Sequence, residues 1–235
     1  MEQSGTSPLL LGTVQDLAAG VVSALRGGDH TPSAGRAAVD DGAEQLLLAA
    51  VRVTGADLLL PNVLLRTRPD EAELTVFRKA VAAFPPRPDT APAIRWSHWA
   101  MTRTLRGFEP PGPQGYGGDG PPEPDATWLD DAPWQTLTHR LAVLAPLAVP
   151  DVDCAVTRAA RRRPVDVARG FVRAVRRRDW QQAAGAGRWL TLLDGVPPAL
   201  GLEAGLDFVE LMGDTDPRVT LQVQAARTMR TGVFV

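Results

Sequence analysis

The sequence predicts an all-α protein built from antiparallel helical hairpins, arranged either as a short α-solenoid or as a two-lobed helical bundle. Two observations lead to this fold class. Apolar residues recur every three or four positions through most of the chain, which is the period of an amphipathic helix. Segments in which β-branched or aromatic residues alternate with polar ones, as they do in strands, are scarce.

Residues 1–106 are predicted to form an N-terminal helical lobe. Helices are expected at about 10–25, 33–54, 70–84 and 92–105. Glycines at 27–28 end the first helix, because glycine accepts the left-handed conformation that terminates helices. Pro69 or Asp70 opens the third, and Pro92 suits the first turn of the fourth, where an N–H has no partner to lose.

Residues 107–127 are predicted to be a Pro/Gly-rich linker or long loop. The segment contains six glycines and six prolines among its 21 residues and has no apolar period. Such a composition buries too little surface to offset the conformational entropy lost on ordering. We therefore expect a mobile connection between two helical halves.

Residues 128–235 are predicted to form a C-terminal helical-repeat-like lobe, whose most regular part is a hairpin at 164–193. Pro164 opens its first helix, and Arg178-Asp179 makes a tight turn to the second. The residues expected to face the core are Val165, Ala168, Phe171, Val172 and Val175 on the first helix, and Trp180, Ala183, Ala184, Gly187 and Leu190 on the second.

Two short segments of this lobe resemble known helical repeats. The segment 179–183 (Asp-Trp-Gln-Gln-Ala) looks like the turn and second-helix start of a tetratricopeptide repeat. The segment 213–219 (Gly-Asp-Thr-Asp-Pro-Arg-Val), with Ala-Ala-Arg at 225–227, is similar to the inner turn and second helix of a HEAT repeat. Each match covers one unit of its family. Both resemblances imply stacked helical hairpins.

An arginine cluster is the main candidate for a binding site. The stretch 158–188 carries ten arginines against two aspartates, although the whole chain has a formal net charge of −2. Helical spacing places several of these arginines opposite the apolar face, where guanidinium groups could hold carboxylates or phosphates. The candidate anion- or partner-binding residues are Arg161, Arg162, Arg163, Arg169, Arg173, Arg176 and Arg177. A solvated face with no ligand is the alternative, because arginine supplies almost all positive charge throughout this chain.

Two further patterns suggest other chemistry. Asp40, Asp41 and Glu44 resemble the DDxxE metal motif of all-helical terpene synthases, which implies Mg²⁺ and a prenyl diphosphate. The second ligand motif of those enzymes is not found in the chain, and acidic residues also favour the start of a helix. Trp96 and Trp99, beside arginines, suggest either a base-stacking platform or core anchors.

These observations favour a non-enzymatic helical scaffold or adaptor that binds another protein, and a protein with an acidic surface is one candidate partner. A nucleic-acid-associated protein is the alternative, and a Mg²⁺-dependent prenyl-diphosphate enzyme is a third. We expect no cofactor, no metal and no membrane partner. The single cysteine, Cys154, and an N-terminus without a basic lead predict a cytoplasmic protein, and the high arginine, alanine, glycine and proline content suggests a bacterial source.

Overall fold

The computed structural model of the protein describes residues 8–28, 41–109 and 121–232. Within these ranges all regular structure is helical and no strand is present, which confirms the all-α prediction. The α-helices are α1 (Pro8–Leu25), α2 (Asp41–Thr54), α3 (Leu60–Leu65), α4 (Glu71–Ala83), α5 (Pro92–Phe108), α6 (Trp134–Val143), α7 (Ala155–Arg161), α8 (Pro164–Arg176), α9 (Trp180–Leu190), α10 (Leu202–Met212) and α11 (Pro217–Thr231).

The apolar run after α2 forms a structure that periodicity did not predict. Gly55 has a φ of +68°, which ends α2, and the chain continues as a 3₁₀ turn, Gly55–Leu59, followed by α3. A left-handed φ of this kind favours glycine, so the break occurs at the residue that tolerates it best. Arg66, with a φ of +51°, ends α3. The predicted start of the second helix at Ser33 lies outside the described residues.

Both ends of the predicted linker are more ordered than the composition indicated. At one end, α5 continues through Phe108. At the other, the Nε1 groups of two α5 tryptophans donate hydrogen bonds to its backbone: Trp96 to the carbonyl of Asp125 at 3.0 Å and Trp99 to that of Pro121 at 2.7 Å. These bonds satisfy the indole N–H groups, so both rings can be buried. Residues 110–120 of the linker lie outside the described residues.

The predicted hairpin at 164–193 is present as α8 and α9, and Ala168 and Phe171 are buried as predicted, but the rest of the buried face of α8 lies to one side of the predicted valines. Val165 and Val172 are 45% and 38% exposed, whereas Val167, Gly170 and Ala174 are buried. Gly170 accounts for the rotation, because it faces Thr138 of α6 and lets the two helices approach closely. Glycine and alanine carry little hydrophobic signal, so the valine pattern was wrong at Val165 and Val172 although it was right at the centre of the face.

Helix α9 lies at the centre of the C-terminal half, where it packs against α6, α8, α10 and α11. Eight of its eleven residues are buried, and most of these are alanine or glycine. Helix α1 packs against α11, so the first and last described helices are neighbours, and one apolar core runs through both halves. Whether the helices form a solenoid or a two-lobed bundle stays a prediction, as does the division into lobes.

Two helical segments have the length and composition of a membrane span. They are Pro8–Leu25 and Asp41–Leu65, each with a mean hydropathy of 1.5. A buried core helix has the same properties. Within Pro8–Leu25, Val14, Leu17 and Val21 belong to the apolar core described above.

Replacing Gly170 with alanine tests the close approach of α6 and α8. A Cβ at this position would lie 2.0 Å from the Thr138 Oγ1 atom, so one helix must shift. We expect Gly170→Ala to lower the free energy of unfolding by about 1–3 kcal/mol in urea denaturation, the usual range for overpacking. Gly12→Ala in α1 is the control, because nothing lies within 4 Å of its added Cβ. It should raise stability by about 0.5–1 kcal/mol through helix propensity. Equal effects of the two changes would contradict the assigned packing.

Candidate functional site

Three of the seven candidate arginines are neutralised by carboxylates. The guanidinium of Arg161 lies 3.0 Å from Asp153, and that of Arg162 lies 2.5 Å from Asp130. Arg163 pairs with Asp166 at 2.6 Å and also donates to the carbonyl of Ala132 at 2.7 Å. Arg163 is therefore a structural residue that holds the start of α8 against the 129–132 loop. These arginines do not provide a free basic surface.

Three of the four remaining candidate arginines lie together in one groove at the surface of α8. Arg169, Arg173 and Arg176 line a groove of about 550 Å³ between α8 and the segment Pro197–Leu200, whereas Arg177 does not. This groove, called the α8 groove below, has an apolar floor that includes Trp134, Val165, Val172, Pro197 and Leu200. The residues expected in the core at 165 and 172 therefore line a surface groove.

The charge of the α8 groove is positive and largely uncompensated. Arg169 lies 3.5 Å from Asp166, and the Arg173 guanidinium lies 5.6 Å from the centroid of the Trp134 ring. Arg176 forms no ion pair with any carboxylate of the described residues, and no acidic side chain lines the groove. The arrangement can hold an acidic group over an apolar surface.

The DDxxE-like residues are not gathered into a described metal centre. Asp40 lies outside the described residues, and Asp41 is the exposed first residue of α2. Glu44 accepts a hydrogen bond of 2.7 Å from the ammonium group of Lys79, at the surface between α2 and α4. Across the part of the chain that the structure describes, no group of three or more His, Cys, Asp or Glu side chains could hold a metal ion.

A buried ion pair that sequence reasoning missed joins the two halves of the chain. Arg188 of α9 and Asp57 of the 3₁₀ turn are 0% and 2% exposed, and their side chains lie 2.7 Å apart. Gln222 of α11 accepts from Arg188 at 2.8 Å and donates to Asp57 at 2.7 Å, while the Nε of Arg188 donates to the carbonyl of Ala148 at 3.0 Å. The available signal was a single charged residue within each of two apolar segments, which does not reveal that the two pair.

Asp57, one member of the ion pair, lines a cleft of about 320 Å³ between the halves, whereas Arg188 lies behind it and does not line the cleft. Asp57 and Gln222 line the floor, and Val53 and Val143 are exposed at its sides. His139 also lines the cleft, and its Nδ1 atom lies 3.2 Å from the Gln182 amide oxygen. The two carboxylates of the cleft both have partners, because Asp57 pairs with Arg188 and Asp179 accepts a hydrogen bond of 3.2 Å from the backbone N–H of Gln182.

The aromatic cluster of α5 is a core anchor rather than a stacking platform. Trp96 is 0% exposed and Trp99 6%, and their rings meet edge to face with centroids 5.1 Å apart. His98, which lies between the two tryptophans in sequence, has its Nε2 atom 3.3 Å from the carbonyl oxygen of Val81. Burial lowers the pKa of His98, a hydrogen bond to Val81 opposes this, and the charge of Arg52 lowers the pKa further. Cys154 is likewise buried, and burial raises the pKa of its thiol.

Comparisons with family models, with curated proteins and with solved structures found no match for this chain. The resemblance to tetratricopeptide and HEAT repeats is therefore not assigned to a family.

Removing one partner of the buried pair should destabilise the whole protein. Asp57→Asn leaves the Arg188 guanidinium buried without a counter-charge, which typically costs about 3–5 kcal/mol. We expect a loss of this size in the free energy of unfolding, measured with urea. The double variant Asp57→Leu with Arg188→Met should recover much of the loss, because it removes both charges.

Asp207→Asn is the matched control for Asp57→Asn. Asp207 pairs with Arg227 at 2.5 Å, but its side chain is 60% exposed. Surface pairs contribute roughly 0–1 kcal/mol, so this change should be nearly silent. If Asp57→Asn were as mild as Asp207→Asn, the buried pair would not be a determinant of stability.

His98 should make stability fall on mild acidification. The pKa of His98 is lowered in the folded state, so the unfolded chain binds a proton more readily than the folded one. The contribution of His98 to the free energy of unfolding is therefore complete only above the unfolded pKa of about 6.5. As the pH falls below that value, the neutral imidazole required by the fold is increasingly disfavoured. We expect His98→Gln to reduce the difference in unfolding free energy between about pH 8 and about pH 5. An unchanged difference would show that His98 does not titrate with folding.

Proposed function

We propose that this protein is a non-enzymatic helical interaction module that binds an acidic, partly apolar segment of another protein in the α8 groove. The observation that supports this most directly is the joint presence of exposed valines and uncompensated arginines in one groove. The repeat-like hairpin α8–α9 provides the rigid base for it. The proposed setting is the cytoplasm, as the cysteine content predicts.

The apolar part of the groove favours a protein ligand. Burying the exposed side chains of Val165 and Val172 under a partner would stabilise the complex by roughly 25 cal/mol for each Å² of apolar surface removed from water. Trp134 and Leu200 extend the same surface on the two sides of α8. Apolar anchors in such a groove are a usual mode of helix recognition, in which side chains at helical spacing fill the surface between the partner's helices.

The charged part of the groove selects the sign of the partner. Arg173 and Arg176 have no carboxylate partner among the described residues, and Arg169 has a distant one at 3.5 Å. Guanidinium groups pair with carboxylates through parallel hydrogen bonds, so Asp or Glu beside the apolar anchors would complement them. A basic segment of equal apolarity would be repelled.

Nucleic acid is less well supported as the ligand. Phosphate binding would use a continuous basic face, but the arginines at 161–163 that would extend it are occupied by Asp153, Asp130 and Asp166. The apolar floor of the groove also has no counterpart in a phosphate backbone.

A pair of synthetic amphipathic helical peptides tests the proposal. Both carry leucine anchors at helical spacing, and one has glutamate on its polar face where the other has lysine. The acidic peptide should bind the full chain by isothermal titration, and binding should weaken as salt increases. Val172→Glu should weaken it at least tenfold, because this change places a like charge and a polar group on the apolar floor.

Arg177 provides the control for that experiment. It is exposed, adjacent to Arg176 and outside the groove, and it forms no ion pair with a described carboxylate. Arg177→Gln should leave binding unchanged, whereas Arg173→Gln with Arg176→Gln should weaken the acidic peptide. Equal affinity for the acidic and basic peptides would refute the proposal, and so would a preference for a DNA or RNA duplex over both.

A further inference from the structure

A further groove lies between α3, α5 and the loop that follows α6. It shares no residue with the α8 groove. It has a volume of about 490 Å³, within the range of roughly 300–1,000 Å³ that is typical of small-molecule sites. It is called the α3–α5 groove below. Its wall includes Ala56, Leu60, Ala100, Leu147 and Val152, each of which is 8% exposed or less.

These walls belong to the interior of the protein rather than to its surface. The α8 groove, in contrast, has a single buried residue in its lining, Ala168. A groove whose walls are core residues is better suited to bind a slender apolar chain than to bind the broad surface of another protein. Val63 and Phe108 are half-buried and continue the apolar wall toward solvent.

The polar residues of the α3–α5 groove are positively charged or neutral. Arg66 and Arg68 follow α3, and Arg103 faces the same groove from α5. No aspartate or glutamate lines the groove, although the chain has 27 acidic residues against 25 basic ones. None of these three arginines pairs with a carboxylate of the described residues. Arg103 makes a distant contact with the Trp99 ring, 6.0 Å from its centroid.

Hydrogen-bonding groups are concentrated beside the first two arginines. Asn62 and Thr67 line the groove within the same short segment as Arg66 and Arg68. The Asn62 amide nitrogen donates to the Thr67 hydroxyl at 3.4 Å, while its buried Oδ1 atom has no hydrogen-bond partner among the described residues. Buried polar atoms are usually satisfied, so this unpaired acceptor can take a hydrogen bond from an ordered water or from the P–OH of a phosphate head group, but not from an ionised carboxylate.

We propose that the α3–α5 groove binds an anionic amphiphile, an acyl chain that carries a carboxylate or phosphate head group. The chain would lie along the wall formed by Leu60, Leu147 and Val152. The head group would pair with Arg66, Arg68 and Arg103, which have no other anion among the described residues. This ligand site is on different helices from the α8 groove, so it does not depend on the proposed partner binding.

Binding of single-chain amphiphiles to the full chain tests this site. Dodecanoate below its micelle concentration should bind in isothermal titration with one site per chain. A dodecyl chain with a neutral sugar head should bind more weakly, and one with a trimethylammonium head should not bind measurably. Shortening the carboxylate by two methylenes should weaken it roughly tenfold, as expected for burial of the acyl chain.

Arginine variants distinguish the head-group site from general basicity. The triple change Arg66→Gln, Arg68→Gln and Arg103→Gln should weaken dodecanoate at least tenfold and remove the preference over the neutral head. Arg106→Gln is the matched control, because Arg106 is an exposed α5 residue outside the groove with no ion pair to a described carboxylate. Thermal unfolding of each variant checks that the fold is retained. Val63→Glu, which places a carboxylate in the groove wall, should abolish binding without changing any arginine.

Three results would overturn this proposal. They are equal binding of the three head groups, equal weakening by Arg106→Gln and by the triple change, and binding to vesicles of anionic lipid without binding to monomeric dodecanoate. The last result would indicate a membrane surface rather than a single amphiphile as the ligand. None of them bears on the α8 groove, whose peptide binding should be unaffected by Val63→Glu.

Discussion

The Asp57–Arg188 pair is the constraint on which the packing of the two halves depends. A buried guanidinium has lost its hydration, and mutual attraction in the interior only balances this loss when the geometry is good. Here the charge is met by Asp57, Gln222 and the carbonyl of Ala148, which come from three separate parts of the chain. Any arrangement that moves one half away from the other leaves a buried charge unpaired. We therefore expect the pair to specify how the two halves pack, although an apolar pair of similar volume would stabilise the protein about as well.

The small residues of α9 let its four neighbouring helices approach closely. A helix surrounded by four others must allow close approach on most of its circumference. At Gly185, an added Cβ would lie only 2.8 Å from the Ala142 carbonyl oxygen, so no larger residue fits there. Alanine and glycine permit this approach but bury little apolar area and make no directional contacts. Arg188 and Trp189 make the directional contacts of this helix. The Arg188 side chain donates a hydrogen bond to the carbonyl of Ala148, and the Trp189 side chain donates one to the carbonyl of Leu141. The packing of α9 therefore combines apolar contacts with hydrogen bonds from two buried side chains.

Local features of this fold could be predicted from the sequence, whereas features set by distant residues could not. The Pro164 start and the Asp179 turn carry their own conformational preferences, so the α8–α9 hairpin was predictable. The face that α8 buries depends on Thr138, 32 residues before Gly170, and the valine pattern gave no sign of it. Asp57 and Arg188 are separated by 131 residues. Without the tertiary structure, neither charge indicates its partner.

The same argument applies to the surface, where the number of arginines is a poor guide to binding. Arg161 and Arg162 stand in the densest basic stretch, yet both face aspartates and offer little net charge to a ligand. Arg66 and Arg68 lie in an unremarkable segment, yet no acidic side chain lines their groove. Because an anion competes with whatever carboxylate is already present, free positive charge arises where acidic residues are missing rather than where arginines are abundant. In a chain with nearly balanced charges, such sites are visible only after the fold has brought the carboxylates to their partners.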